Sequence, residues 1–199
     1  MRQAERVPGA VVVGAGPGGL AAAAMLRRQR VAVEIVERSD TVASAWRGHY
    51  ERLHLHTVRW LSNLPGYRIP RAYGPWVSRD DVVRYLEAYA SHHGLQPSFA
   101  TTIERIDRHG DEWVLRSPQG DRTAHSVVVA TGHNHTPVLP EWPGSPGYRR
   151  ELIHASKYRN ATPYVAQDVL VVGSGNTGAE IALDLVETEI GRASCRERV

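Results

Sequence analysis

With 199 residues, 42% hydrophobic and 23% charged, the chain can bury a real core and has room for one domain or one and a fraction. Its net charge of +3 is not gathered into a long basic stripe, which argues against a nucleic-acid surface, and no apolar run is long enough to span a bilayer. A single cysteine excludes an internal disulfide framework, and the N-terminus lacks the apolar core of a secretory signal, so a soluble cytoplasmic protein is expected.

Ala10 to Val13 is a short run without alternation, the pattern of a strand buried on both faces of a parallel sheet. The turn Gly14-Ala15-Gly16-Pro17-Gly18-Gly19 follows and opens a helix expected over Pro17 to Gln29. In such a turn the first glycine makes the bend, the second lets backbone approach a pyrophosphate, and the last lets the helix pack close to the strand. The helix directs its N-H groups and positive dipole end at the same place. A second strand, Val31 to Val36, ends in Glu37, about twenty residues beyond the glycines, where a carboxylate accepts both ribose hydroxyls and repels a 2'-phosphate. This site suits FAD or NAD rather than NADP. The plain alternative is an exposed carboxylate at a strand end.

Trp46 to Pro75 is irregular, rich in aromatic, His, Gly and Pro residues, and long enough to suggest function. Ser78 to Asp81 caps a helix running to about His93, with Val82, Leu86 and Tyr89 on one face and Gly94 as its stop. Phe99 to Asp107, Glu112 to Ser117 and Arg122 to Ala130 alternate between turn signals and read as a three-stranded meander whose last strand delivers Ala130-Thr131-Gly132. Pro137 to Gly147 then reads as a linker. The histidines His92-His93 and His133-Asn134-His135 have no carboxylate or cysteine at ligand spacing, so no metal site is expected.

Val169 to Val172 repeats the buried-strand pattern, the turn Gly173-Ser174-Gly175-Asn176-Thr177-Gly178 repeats the glycine spacing, and Thr177 to about Thr188 continues as an amphipathic helix with Ile181, Leu185 and Val186 on its apolar side. A single glycine motif is weak evidence. Two, each between a strand and a helix and about 160 residues apart, point to a flavin and a nicotinamide held by one chain. The residue that separates NAD from NADP belongs at the end of the next strand, so that choice stays open.

The last ten residues, from Ile190 to Val199, match an in-frame reading of a common sequencing-adapter oligonucleotide and are expected to be a non-native tail; the alternative is a native basic helix end. Leaving them out removes three arginines, one glutamate and Cys195, and takes the net charge from +3 to +1.

Taken together, the first glycine turn with Glu37, Trp46 through Thr57, Leu64-Pro65, Ala130-Thr131-Gly132, His154 through Tyr158, and Val171 through Glu180 resemble the flavin-containing monooxygenase family, nearest its YUCCA-like and bacterial branches. The family signature F-x-G-x-x-x-H-x-x-x-Y aligns with Tyr148, Arg150, His154 and Tyr158. The aromatic start, His and final Tyr are kept, while Arg150 stands in the place of the glycine. Tyr158 rather than Trp favours the nitrogen- and sulfur-oxidising or YUCCA-like branches over Baeyer-Villiger enzymes.

The resemblance implies an α/β chain in which a Rossmann-type FAD-binding domain, a parallel sheet plus meander, occupies residues 1–147. Within it 44–97 is an excursion, and 98–130 holds the meander and the strand ending at Ala130. Residues 148–189 then open a truncated NADPH-binding domain. FAD would contact Gly14, Ala15, Gly16, Pro17, Gly18, Gly19, Glu37, Arg38, Ala45, Trp46, His56, Thr57, Ile103, Ala130, Thr131 and Gly132. NADPH would contact Gly173, Ser174, Gly175, Asn176, Thr177 and Gly178. The implied activity is insertion of one oxygen atom from O2 into a small organic substrate through a C4a-hydroperoxyflavin, so no catalytic triad is expected.

His56, with Thr57, falls where the family places a polar residue beside flavin and nicotinamide, and His56 is the one candidate catalytic residue; it reads equally as a histidine bonded within a packed loop. Trp46 and Trp60 either stack near a cofactor or fill the core, and only Trp46 has family support for a FAD contact. A flavin disulfide reductase shares the plan but needs a redox cysteine pair. A nucleotide-binding scaffold without oxygen chemistry and an inert fragment remain as alternatives. As the beginning of a longer enzyme, the 199 residues alone are expected to bind FAD weakly or not at all.

Overall fold

The computed structural model describes residues 9–132, 136–188 and 192–196, the last of these by their backbone. By its internal contacts the chain divides into two units, Met1–Arg47 with Leu55–His133 and Gly48–His54 with Asn134–Val199.

In the first unit, β1 (Ala10–Val13) lies between β2 (Val33–Val36) and β6 (Ser126–Val129), all parallel, with Val12 opposite Ile35 on one side and Val128 on the other. Every residue of β1 is buried, as its unbroken apolar run predicts. Strand alternation divides its side chains between two cores. Val12 packs with Leu20, Ala23 and Ala24 of α1 (Pro17–Arg28) and with Leu86 and Tyr89, while Val11 and Val13 pack with Leu115 and Ala124. The chain therefore forms helices on one face of the parallel sheet and a second, antiparallel sheet on the other.

That antiparallel sheet is β3 (Arg105–His109), β4 (Glu112–Arg116) and β5 (Arg122–Ala124). It corrects the expected meander at two places. Arg122 to Ala130 is not one strand, because the chain breaks at His125 and passes from the antiparallel sheet as β5 to the parallel sheet as β6. Residues 99–104 precede β3 without joining it; Ser98 instead bridges Val36 and accepts the Glu37 N-H at 3.0 Å. Alternation is common to both parts of a strand that changes sheets, so the sequence pattern could not show the break.

A short helix, α2 (Ser44–Arg47), follows β2, and α3 (Arg79–His92) closes the helical layer. The Ser78 hydroxyl oxygen accepts the Asp81 N-H at 3.2 Å, and Asp80 and Asp81 face the positive end of α3. We expect Ser78→Ala to lower stability by about 1 kcal/mol in urea titrations, with little effect on cofactor content. The irregular stretch before α3 is tied to it through tyrosines: Tyr85 accepts from the Leu64 N-H at 2.7 Å and donates to the Tyr67 carbonyl at 2.8 Å, and Tyr89 donates to the Pro65 carbonyl at 2.8 Å. His92 stacks on Tyr67 and His93 lies against Tyr89. His133 and His135 lie outside the described residues. Trp60 is exposed and fills no core.

In the second unit, β7 (Asp168–Val172) leads through a glycine turn into α4 (Asn176–Glu187), and β8 (Arg192–Arg196) pairs in parallel with β7 along all five residues. The stretch read from sequence as a foreign tail thus contributes the backbone of this strand. Val169 to Val172 are not buried as expected: Leu170 is 60% and Val172 48% exposed. Among the described residues this two-stranded sheet has α4 against it and no layer to cover the other face. No helix among the described residues is long and apolar enough to cross a membrane.

Candidate dinucleotide sites

The first turn is fixed by backbone contacts that leave no space for side chains at two of its glycines. Gly14 has φ +110°, and a Cβ there would lie 2.5 Å from the Ala130 carbonyl oxygen, so β6 approaches as closely as it does only because position 14 is bare. A Cβ on Gly19 would stand 1.8 Å from the Gly14 oxygen, which is how α1 closes on its own strand. Gly16 and Gly18 differ. A Cβ at either meets no atom within 4 Å, so the turn opens outward beside them.

Among the described residues, no side chain caps the start of the helix that faces this opening. Gly16 is the N-cap of α1 without a side-chain cap, the first turn holds no acidic residue, and the first helical hydrogen bond runs from Leu20 N-H to the Gly16 carbonyl. An uncapped helix start beside open space fits a pyrophosphate, whose oxygens would take the place of a cap.

Glu37 closes the other side of the turn. It is 7% exposed, and its carboxylate accepts the Ala15 N-H at 2.7 Å, the Ser39 N-H at 3.0 Å and the Ser39 hydroxyl at 2.7 Å. Burial pushes its pKa up, but these three donors and the nearby Arg38 outweigh burial and hold it below the ordinary 4.5. The reading of an exposed strand-end carboxylate is therefore corrected. With two acceptor positions per oxygen, Oε1 is filled and Oε2 keeps one, so the carboxylate has room for one ribose hydroxyl rather than two.

The other first-unit candidates divide by place. Ala130 reaches the turn directly, its N-H donating to the Val13 carbonyl at 2.9 Å, and Thr131 and Gly132 continue from it exposed. Trp46 packs partly against the helical core from α2, where Ala45 is exposed, as is Arg38 after β2. Ile103 packs against the other core with Leu115 and Ala124. His56 and Thr57 are exposed in a bend held by the Leu55 N-H to the Val77 carbonyl and the Arg59 N-H to the Pro75 carbonyl, both at 2.8 Å, and the Thr57 hydroxyl meets Ser62 at 2.6 Å.

The second turn repeats the first. Gly173 has φ +121°, a Cβ on Gly178 would lie 1.9 Å from the Gly173 oxygen, and one on Gly175 meets nothing within 4 Å. Gly175 is the N-cap of α4 with no side-chain cap and no acid in the first turn. Ser174, Asn176 and Thr177 are exposed beside it. Of the signature residues, Tyr148 is exposed, His154 caps a short turn by accepting the Ser156 N-H at 3.1 Å, and Tyr158 is buried. Sequence reasoning missed Tyr50 and Arg52, which touch α4; their separation from it by about 130 residues gives no local signal.

The fold and the two turns define an α/β protein of Rossmann type with two glycine-turn units. Residues 11–191 match the family described as pyridine nucleotide-disulphide oxidoreductase, and the chain belongs to that family. It is 43% identical over 183 residues to indole-3-pyruvate monooxygenase YUCCA1 of Oryza sativa subsp. japonica, a match covering 90% of this chain and 45% of that protein. It is 38% identical over 182 residues to the probable indole-3-pyruvate monooxygenase YUCCA4 of Arabidopsis thaliana, with 90% and 44% covered. Among solved structures, the flavin-containing monooxygenase from Stenotrophomonas maltophilia matches with a TM-score of 0.88 and 26% identity, covering 97% of this chain and 58% of that one. The chain therefore spans about half the length of these relatives, and the resemblance to flavin-containing monooxygenases is borne out.

Proposed function

We propose that the protein carrying this chain is an FAD- and NADPH-dependent monooxygenase that inserts one oxygen atom of O2 into a small organic substrate, in the cytoplasm. What carries the reading is the occurrence of two open, uncapped glycine turns of matching geometry in a chain 43% identical to a plant monooxygenase.

In this reading Gly16, Gly18 and the start of α1 receive the FAD pyrophosphate, and Glu37 Oε2 accepts a ribose hydroxyl. A carboxylate at that place repels a 2'-phosphate, which assigns FAD rather than NADPH to the first turn. Ala45, Trp46, Ile103, Ala130, Thr131 and Gly132 line the same cofactor, with Arg38 at the strand end, and His56 and Thr57 offer polar groups toward its reacting part. Residues Gly173 to Gly178 receive the NADPH pyrophosphate. Bound at the first turn, a flavin would supply the redox chemistry that joins NADPH oxidation to O2 activation. The balance is one NADPH, one proton, one O2 and one substrate consumed for one NADP+, one oxygenated product and one water. Since the Oryza sativa relative is named an indole-3-pyruvate monooxygenase, a 2-oxo acid is the first substrate to test.

The experiment is purification of the full protein with its flavin, followed by NADPH oxidation and O2 uptake with and without indole-3-pyruvate. We expect bound FAD, faster turnover with NADPH than with NADH, and one product per O2. A protein that holds no flavin, or holds it and consumes no O2 with NADPH, overturns the reading in favour of a nucleotide-binding scaffold.

A further inference from the structure

The second unit contains a cross-link that the sequence does not announce. Glu180, Asp184 and Glu187 follow one another at helical spacing along α4, and each meets a partner from elsewhere in the same unit. Tyr50, only 3% exposed, donates its hydroxyl to Glu180 Oε2 at 2.8 Å. Tyr158, also 3% exposed, donates to Asp184 Oδ2 at 2.5 Å, and the Arg52 guanidinium pairs with Glu187. The segment that brings Tyr50 and Arg52 is itself fastened by the Glu51 N-H to the Arg159 carbonyl at 2.8 Å and by Asn160 to the Glu51 carboxylate at 3.0 Å. The rings of Tyr50 and Tyr158 meet edge to face with centroids 6.4 Å apart.

One of these contacts reaches the glycine motif. The Tyr50 hydroxyl that donates to Glu180 also lies near the side chain of Thr177, which stands inside Gly173-Ser174-Gly175-Asn176-Thr177-Gly178. A single hydroxyl thus anchors Glu180, one helical step beyond the first turn of α4, while standing beside that turn. Asp184 and Glu187 lie further along the helix, away from the N-H groups that start it. Burial and the Glu180 carboxylate raise the pKa of Tyr50, so its hydroxyl keeps its proton and its donor role.

We propose that Tyr50 is a positioning residue for the second dinucleotide site, holding the first turn of α4 at the angle its N-H groups need to receive the NADPH pyrophosphate. This rests on the reading of the second turn as the NADPH site. Tyr50 acts through Glu180, beside Thr177, and does not itself touch the nucleotide. Loss of its hydroxyl leaves the ring packed but the turn without its tether.

The test compares Tyr50→Phe with Tyr158→Phe in the flavin-loaded full protein. Each variant removes one buried hydroxyl bound to a carboxylate of α4, so both should lower the melting temperature by a similar amount. For Tyr50→Phe we expect the Kd and KM for NADPH to rise about tenfold, the worth of one hydrogen bond to a charged group, with kcat at saturating NADPH and the Kd for FAD within about twofold of the parent. Tyr158→Phe should leave NADPH affinity within about twofold. Unchanged NADPH affinity in Tyr50→Phe overturns the proposal, and so does an equal rise in both variants, which would mark a general stability effect. If the parent protein binds FAD but no NADPH, the reading of the second turn itself fails, an outcome distinct from the other two.

Discussion

Gly19→Ala is expected to destabilise the first unit by about 3 kcal/mol or more, seen as a drop of roughly 6 to 12 °C in melting temperature or as insoluble expression. A Cβ at this position would stand 1.8 Å from the Gly14 carbonyl oxygen and 2.9 Å from its carbon, contacts that no rotamer can relieve because both partners are backbone. Relief requires α1 to move off β1, which opens the packing of Leu20, Ala23 and Ala24 against Val12. The intrinsic gain from alanine in a helix is only about 1 kcal/mol and does not offset this. Gly16→Ala is the informative partner. Gly16 has φ −82°, ordinary for any residue, and its Cβ meets no atom within 4 Å, so stability should stay within about 0.5 kcal/mol. If the pyrophosphate sits there, FAD affinity should nevertheless fall at least about tenfold as the methyl enters its space. Two glycines three residues apart would then separate a requirement of the fold from a requirement of the ligand. Equal loss of stability in both variants would contradict that separation.

Glu37→Ala is expected to cost about 3 kcal/mol and to abolish retention of FAD through purification. The carboxylate accepts two backbone N-H groups and a hydroxyl, and truncation leaves the Ala15 and Ser39 donors without their acceptor, at about 1–3 kcal/mol for each group that stays buried. Glu37→Gln tests the charge with the shape nearly kept. Because folding lowers the Glu37 pKa below 4.5, its contribution is fully present above that value and is lost as pH falls through the folded-state pKa. Urea titrations at neutral pH and below about pH 4 should therefore show the parent losing more stability than Glu37→Gln as the solution is acidified. Parallel losses in the two proteins would show that the carboxylate is not the ionised, hydrogen-bonded group described above.

The parts of this fold that local chemistry dictates were legible in the sequence. β1 reads as a doubly buried strand because all four residues are apolar, and it packs against both neighbouring layers. Ser78, Asp80 and Asp81 announce α3, and the structure starts that helix at Arg79. The glycine spacing announced both turns because φ above +100° at Gly14 and Gly173 and the close approaches at Gly19 and Gly178 admit almost no other residue. The strand from Arg122 was misread because alternation reports which side of a sheet a residue faces and not which sheet it joins. Val169 to Val172 were misread because an apolar run becomes a buried strand only when layers cover both of its faces.

For the sites, the sequence by itself determined which residue types could meet a dinucleotide: bare backbone at two helix starts for its phosphates and an acid at the end of β2 for a ribose hydroxyl. Those are local requirements, satisfied within a few residues of chain. Only the tertiary structure decided that Glu37 is buried with three of its acceptor positions filled, and that Tyr50 reaches Glu180. The Ala15 and Tyr50 bonds join residues 22 and 130 positions apart, and hydrogen bonds at that separation leave no period or spacing in the chain. They arise from how layers and helices pack, which fixes the surroundings of a residue whose identity alone leaves its role open.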